Sequence, residues 1–310
     1  MPIVWEKFSG TEEEIEKVKY AGMEEFIIAK NTDIPHKCLW SIDQSCFLPG
    51  FFRNSIETFY NFEVRPDDVW LVTFPKSGST WTQEMIWQIC NNLDYERTNN
   101  EYESETFSCL ESHLQAPLLP KQLWTVKPRI IYVARHIKDV AISFYHHYRN
   151  IHHFSGSWQD FFDIFMKDRV MFAPYHTHVY NFWQMRNEEN ILFLTYEEMK
   201  RDHPSVIRKT AHFLGKSLND EQISELADYL SFSKFSKNPR VNLDIYVDKF
   251  QKDLQTTLPD ADFRFVRKGV IGSYKEEMPK EIIEAFDRWT RKQIEKTKMD
   301  PDIYRVFCDV

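Results

Sequence analysis

Glycine is scarce in this 310-residue sequence, which contains only eight. Three of them, Gly78, Gly269 and Gly272, lie in short segments that also carry cations or hydroxyl groups. Glycine adopts left-handed backbone conformations at little cost, so an isolated glycine in such a segment predicts a special turn. These segments are therefore the first candidates for a binding site.

Cysteine is also scarce, and the sequence lacks long apolar runs. The five cysteines form no CxxC pair: Cys38, Cys46, Cys90, Cys109 and Cys308. An odd set of this kind is typical of thiols in a reducing compartment. No apolar run approaches the ~20 residues of a membrane span, and the first residues lack the pattern of a signal peptide. We expect a cytoplasmic protein that does not enter a membrane.

An excess of positive charge is absent, since the formal net charge is −8. Proteins that bind nucleic acid more often carry a basic patch and a high pI, so no nucleic-acid partner is expected. A local cluster of cations must therefore attract any anionic ligand. Aromatic residues, in contrast, are abundant at 15%. They suit a large core and an apolar pocket.

Three apolar runs predict buried strands, namely DDVWLVTF (67–74), PRIIYVAR (128–135) and NILFLTYEEM (190–199). A helical pattern follows each run, at 80–92, 139–149 and 203–215. This alternation predicts an α/β domain with a central parallel sheet flanked by helices. Ligands of such sheets bind beyond the carboxyl ends of the strands.

The remaining segments have weaker patterns. Residues 11–30 predict a surface helix or an edge segment, and residues 279–296 predict the final helix, with Pro279 at its start. Residues 230–244 and 258–278 show little periodicity and are expected to form long loops. Loops of that length are usually functional or disordered.

The segment TFPKSGSTW (73–81) joins the first strand to its helix. Lys76, Gly78 and several hydroxyl groups there surround a helix N-terminus, whose free N–H groups attract anions. The lysine precedes the hydroxyls, unlike the GxxxxGK[ST] order of a Walker loop. The simpler alternative is a helix start capped by serine or threonine.

Two further segments carry groups suited to phosphate. Arg135 ends the second strand, and Ser143 follows on the next helix. RKGVIG (267–272) places two cations directly before Gly269. Taken singly, the first is also explained by a surface ion pair with Asp139 and the second by a basic turn.

Four segments together, PKSGSTW, YVARHIKDVAISFYHHY, SFSKFSKNP and FVRKGVIG, resemble the cytosolic sulfotransferase family from about residue 60 onward. The resemblance implies a P-loop-like strand–loop–helix and the donor 3′-phosphoadenosine-5′-phosphosulfate. The product would be adenosine 3′,5′-bisphosphate, with no metal. It also implies one domain over 1–310, with 1–60 contributing to the acceptor pocket and 236–266 forming a loop over the active site.

The resemblance implies a donor site built from several segments. The phosphosulfate would lie against the loop at 76–81, and the 3′-phosphate between two groups of polar residues. The implied set is Lys76, Ser77, Gly78, Ser79, Thr80, Trp81, Arg135, Ser143, Tyr196, Leu230, Ser231, Phe232, Phe235, Phe265, Arg267, Lys268 and Gly269.

The implied catalytic residues are His113, Lys76 and Ser143. His113, in CLESHLQAPLLP, matches the family's catalytic histidine and would act as the general base. Lys76 would neutralise the leaving phosphate oxygen. The acceptor would be a small, hydroxylated, largely apolar molecule such as a phenol, steroid or retinoid. Candidates for its pocket are Phe107, Glu111, Phe144 and Tyr145.

Some positions depart from the family's pattern. Glu111 stands where many relatives have lysine, and a carboxylate there would disfavour anionic acceptors. Ser273 and Tyr274 replace the Asp-Trp pair of the GDWK motif. In the family's dimer motif, KxxxTVxxxE, Pro279 and Lys280 replace the Thr-Val pair. Homodimerisation by that route therefore stays open.

Other functions remain open at this point. A dehydratase of an allylic alcohol such as retinol would use the same donor. A P-loop kinase would need Mg²⁺ and a lysine later in the loop, and a non-catalytic nucleotide-binding protein would have no use for His113. The histidines of HHYRNIHH (146–153) match no standard zinc spacing, so no metal site is predicted.

Overall fold

The computed structural model describes residues 2–20, 23–33, 45–95, 109–239, 241–253, 257–260 and 262–308. Phe107, a candidate for the acceptor pocket, lies outside these ranges. Within them, no helix has the length and apolar character needed to cross a membrane.

The N-terminal part forms an antiparallel sheet of three strands, β1 (Ile3–Lys7), β2 (Phe26–Asn31) and β3 (Cys46–Pro49), with β2 in the middle. Helix α1 (Glu12–Val18) precedes β2 and begins with a capping box between Thr11 and Glu14. Segment 11–30 therefore contains both a helix and a strand.

The central sheet has four parallel strands, β4 (Val69–Thr73), β5 (Leu110–Ser112), β6 (Arg129–Ala134) and β7 (Ile191–Thr195), in the order β5-β4-β6-β7. Val72 aligns with Ser112 on one side and with Tyr132 on the other, so the strands end at the same edge. The short β5 lies outside the three strands that the sequence predicted.

The remaining helices in the described ranges lie on both faces of this sheet or follow it. They are α2 (Ile56–Tyr60), α3 (Ser79–Cys90), α4 (Leu123–Val126), α5 (Ile137–Ile151), α6 (Trp158–Met166), α7 (Tyr175–Gln184), α8 (Tyr196–Arg201), α9 (His203–Phe213), α10 (Asp220–Tyr229), α11 (Phe232–Phe235), α12 (Asp244–Asp253), α13 (Tyr274–Glu277), α14 (Lys280–Thr297) and α15 (Tyr304–Phe307).

Alternate side chains of the sheet enter two separate cores. Leu71 and Val133 pack against α3 and α9 on one face. Val72 and Tyr132 pack against α5 and α7 on the other, in a core that also includes the N-terminal sheet. This arrangement confirms the predicted α/β fold, because a parallel sheet buried on both faces reads as continuous apolar runs.

The predicted strand at 190–199 is too long. It ends at Thr195, whose side chain accepts a hydrogen bond from the Glu198 N–H at 3.1 Å. Glu198 accepts in return from the Thr195 N–H at 3.0 Å, which completes a capping box. This T-x-x-E signal starts α8 and explains why YEEM is helical.

The predicted loops are also partly helical. Helix α12 lies within the segment 236–266, and a single turn of helix, α13, lies within 258–278. The predicted final helix is α14, which Pro279 precedes. It is not the last one, because a 3₁₀ turn (Pro301–Ile303) and α15 follow it.

Candidate active site

Each strand of the central sheet is followed by a polar or aromatic residue at the carboxyl edge of the sheet. His113 directly follows β5, Arg135 follows β6 and Tyr196 follows β7, while Lys76 comes three residues after β4. Since the strands are parallel, these four side chains meet beyond the carboxyl ends, where α/β sheets bind ligands.

The loop between β4 and α3 contains two residues with positive φ. Lys76 has φ 68° and Gly78 has φ 105°. A side chain at position 78 is excluded, since its Cβ would lie 2.8 Å from Cδ2 of Tyr196. The loop therefore turns its backbone toward the N-terminus of α3, a helix of 12 residues, in an arrangement suited to an anion.

Two buried donors near this loop lack a hydrogen-bond partner among the described residues. They are the hydroxyl Oγ of Ser77 and the guanidinium Nε of Arg135. Arg135 is otherwise well held: Nη1 donates to the Lys76 carbonyl at 3.1 Å and Nη2 to the Val270 carbonyl at 3.4 Å. Unpaired buried donors are costly, so a polar ligand beside Arg135, which lines the cavity described below, would stabilise this side chain.

Lys76 is the most perturbed cation of the site. Its Nζ lies 3.7 Å from the ring centroid of Phe265. Burial, aided by the charges of Arg135 and Arg267, lowers its pKa from 10.5 to about 7. An anion bound beside Lys76 would raise this pKa and keep the side chain positively charged.

A cavity of about 370 Å³ connects these groups. Most of the predicted donor-site residues line it: Lys76, Gly78, Ser79, Thr80, Trp81, Arg135, Ser143, Tyr196, Leu230, Phe232, Phe235, Phe265, Arg267, Lys268 and Gly269. The predicted His113 and Phe144 line it as well. Ser77 is fully buried beneath the loop, and Ser231 is not among the lining residues.

Aromatic rings form one wall of the cavity. The indole N–H of Trp81 donates to the Leu230 carbonyl at 2.9 Å, and its ring meets that of Tyr196 edge to face at 5.7 Å. Gly269, with φ 60°, allows Phe232 to approach so closely that an added Cβ would lie 2.2 Å from its ring. A flat aromatic ligand fits between such groups.

His113 lies at the opposite end. Its Nδ1 is 2.8 Å from the carbonyl oxygen of Thr73. Because a carbonyl only accepts, Nδ1 carries the proton in the neutral imidazole and Nε2 keeps a free electron pair. Nε2 lies 3.8 Å from Glu111 Oε1, and the His113 carbonyl accepts from Nε2 of the buried His178. The ring is thus fixed with Nε2 as the basic atom.

Several lining residues were missed in the sequence. Around His113 they include His147, His152, Met171 and Phe172, and near Trp81 they include Lys200. Burial, with a contribution from Lys76, lowers the pKa of His147 well below its usual range and that of His152 to about 4, so both are neutral at pH 7. The run HHYRNIHH (146–153) was the sequence pattern that could have indicated His147 and His152 as site residues.

Two acceptor-pocket candidates lie elsewhere. Tyr145 packs against Trp158, with ring centroids 4.6 Å apart, and lines a separate cavity. Glu111 reaches the site only through His113 and does not line the cavity. Phe144 lines the cavity, whereas the neighbouring Tyr145 packs its ring against Trp158.

Comparisons with known proteins agree with this geometry. The family described as "Sulfotransferase domain" matches residues 66–106 and 96–298. Luciferin sulfotransferase of Photinus pyralis is 37% identical, over 78% of this chain and 75% of its own length. Sulfotransferase 1B1 of Canis lupus familiaris is 31% identical, over 80% of this chain and 90% of its own.

Solved structures share the fold. A retinol dehydratase in complex with androsterone and inactive cofactor PAP has a TM-score of 0.81 at 23% identity, covering 97% of this chain and 100% of that one. A mouse sulfotransferase complexed with PAP has a TM-score of 0.66 at 24% identity, covering 87% and 97%. At these identities the likeness concerns the fold.

The sequence comparisons show the family. The family model matches most of the length of this chain, and the relatives are more than 30% identical to it. The chain therefore belongs to the cytosolic sulfotransferase family and is a sulfotransferase.

Proposed function

We propose that the enzyme transfers a sulfuryl group from 3′-phosphoadenosine-5′-phosphosulfate to the hydroxyl of a small, largely apolar acceptor. The main observation behind this proposal is that four adjacent strands bring together four side chains around one cavity. They are His113, Lys76, Arg135 and Tyr196. This arrangement supports a proposed base, His113, at one end, with cations in the middle and aromatic rings at the other end.

The residues present fit the donor. Arg135 lines the cavity, and its unpaired Nε is a donor that an anion would satisfy. The positive φ of Gly78 lets the loop present its backbone to that anion. Arg135, Ser143 and the RKG turn at 267–269 would hold the 3′-phosphate, since arginine binds phosphate bidentately. The aromatic wall, with Trp81, would bind the adenine.

The donor supplies an activated sulfuryl group, and the chain's own groups supply charge and proton transfer. We propose that Nε2 of His113 accepts the proton of the acceptor hydroxyl. Lys76 would neutralise the charge that develops on the leaving phosphate oxygen, and Ser143 would hydrogen-bond to the donor. Such reactions depend mainly on positioning and on charge stabilisation.

The acceptor end favours a molecule with an apolar body. Phe144, Met171 and Phe172 line it together with neutral His147 and His152. Glu111, beside His113, would disfavour anionic acceptors. The acceptors to examine are phenols, catechols, steroids, retinoids and long-chain alcohols, with luciferin added because a relative is named for it.

We also propose that residues 1–310 act as one sulfotransferase domain. Tyr20, in the N-terminal segment, contacts the wall of the acceptor end: its hydroxyl donates to Sδ of Met171 at 2.9 Å, and its ring lies 4.8 Å from that of His152. Phe265, the second-last residue of the segment 236–266, lines the cavity. Both contacts support contributions of these segments to the site.

A labelled-donor assay over this acceptor panel tests the proposal. We expect a sulfated product, and we expect His113→Ala to lose about 100-fold or more in turnover while keeping its affinity for adenosine 3′,5′-bisphosphate. The matched control is His212→Ala, at an exposed histidine on α9, with unchanged turnover.

The same assay separates the alternatives. A dehydrated product from an allylic alcohol would identify a dehydratase. Activity that requires ATP and Mg²⁺ would identify a kinase. Full turnover in both His113→Ala and Lys76→Ala would refute the proposed mechanism.

A further inference from the structure

Glu277, the last residue of α13, contacts three basic side chains. Its Oε1 lies 2.7 Å from Nη1 of Arg267 and 2.7 Å from Nζ of Lys268. Its Oε2 lies 3.0 Å from Nε2 of His146. One carboxylate therefore joins both cations of the RKG turn to helix α5.

The carboxylate is charged at neutral pH. Its side chain is only 15% exposed, and burial by itself would raise the pKa. The hydrogen bonds from His146, Lys268 and Arg267 outweigh this effect and lower the pKa of Glu277 to about 2.

One face of helix α5 contacts both ends of α13. Asp139, Ser143 and His146 are spaced i, i+4 and i+7, so their side chains lie on the same side of the helix. Asp139 accepts from the Gly272 N–H at 2.7 Å and from Ser273 Oγ at 3.0 Å, which fixes the start of α13. His146 fixes its end through Glu277. Both ends of α13 are thus tied to the helix that carries Ser143.

Glu277 contacts two cations of the cavity wall without being part of that wall. Arg267 and Lys268 line the cavity, whereas Glu277 does not. Lys76 and Arg135 line it as well, so Arg267 and Lys268 lie close to other positive charges. A carboxylate between them offsets that repulsion and fixes two long side chains that would otherwise move freely.

We propose that Glu277 is a positioning residue that, with His146, holds Arg267 and Lys268 in the arrangement that selects nucleotides carrying a 3′-phosphate. This inference rests on the proposed donor. The opposite effect, repulsion between Glu277 and the bound phosphate, is weakened because Glu277 is paired with both cations and does not line the cavity.

Calorimetric titration with two nucleotides tests the proposal. Adenosine 3′,5′-bisphosphate carries the 3′-phosphate, and adenosine 5′-monophosphate lacks it. In Glu277→Gln, which keeps the size but removes the charge, we expect the affinity ratio of the two nucleotides to fall about tenfold, roughly the loss of one charge-assisted contact.

The neighbouring Glu276→Gln is the matched control. Glu276 contacts Lys268 at 3.5 Å with a side chain that is 79% exposed, so the ratio should change less than about twofold. His146→Phe should lower the ratio in the same direction as Glu277→Gln.

The possible outcomes are distinct. Equal losses for both nucleotides in Glu277→Gln would mean a merely structural role, and an unchanged or increased ratio would equally overturn the proposal. If the wild-type protein itself binds the two nucleotides equally, the proposed donor is refuted, and the role of Glu277 falls with it.

Discussion

At the residue scale, the pKa of Lys76 gives a test of the proposed donor site. Burial, with Arg135 and Arg267, lowers its pKa from 10.5 to about 7 in the free protein. Between pH 7 and about 10 the unfolded chain therefore binds more protons at this residue, so the contribution of Lys76 to the free energy of unfolding rises with pH. A bound anion raises the pKa of Lys76 again.

We predict that binding of adenosine 3′,5′-bisphosphate at pH 8 takes up a fraction of a proton. The phosphates are already fully ionised there, since their second pKa is about 6. Calorimetry in buffers of different ionisation enthalpy measures the uptake. Lys76→Met should show no uptake, and a buffer-independent heat in the wild-type protein would contradict the prediction.

The two glycines on either side of Val270 and Ile271 allow a matched comparison. Gly269 and Gly272 have φ 60° and φ 77°, so alanine at either position is strained by about 1 kcal/mol or more. Only at position 269 would the new Cβ meet a ring, that of Phe232, whereas at 272 the nearest atom, on Lys275, is 3.8 Å away.

We therefore expect both alanine variants to lose free energy of unfolding in urea, and Gly269→Ala to lose at least as much as Gly272→Ala. Gly269→Ala should in addition lose about tenfold or more in affinity for adenosine 3′,5′-bisphosphate, because Phe232 must leave the cavity wall. Equal affinities in the two variants would argue against a role of this close approach in donor binding.

At the scale of elements, the strand–loop–helix units were predictable, whereas the short edge strand β5 and the N-terminal sheet were not. β4 and β6 are buried on both faces and read as uninterrupted apolar runs. β5 has only three residues, too few for a period, although it positions His113. The N-terminal sheet depends on pairing between β1 and β3 through β2, and such distant contacts leave no local pattern.

The attachment between α5 and α13 gives a prediction at this scale. The buried Asp139 accepts three hydrogen bonds, from the Gly272 N–H, Ser273 Oγ and the Tyr274 N–H. Asp139→Ala leaves these donors unpaired and should lower the free energy of unfolding by about 3 kcal/mol.

Urea denaturation measures this loss. The control is Asp302→Ala, since Asp302 is 68% exposed and pairs with Arg305 at 3.1 Å, so its loss should stay below about 0.5 kcal/mol. A loss of less than about 1 kcal/mol in Asp139→Ala would show that the turn is held by other contacts.

At the scale of the whole molecule, the charge distribution explains why the sequence motifs were more informative about the binding site than the amino-acid composition was. The net charge is −8, yet Lys76, Arg135, Lys200, Arg267 and Lys268 line one cavity. Composition therefore excluded a general affinity for polyanions, while the motifs located the cations. The part of the cavity around His113 was less predictable, because His147, His152 and Met171 reach it from segments whose packing the sequence does not reveal.

The N-terminal sheet and the central sheet should unfold together. Phe26 and Phe47 of the first and Val72 and Tyr132 of the second belong to the same core. We predict a single thermal transition, which adenosine 3′,5′-bisphosphate at 100 times its dissociation constant stabilises by about 2.7 kcal/mol, or roughly 5 °C for a chain of this length. Scanning calorimetry measures the shift, with Mg²⁺–ATP as the control ligand. Two transitions, of which only one moves, would contradict a single cooperative domain.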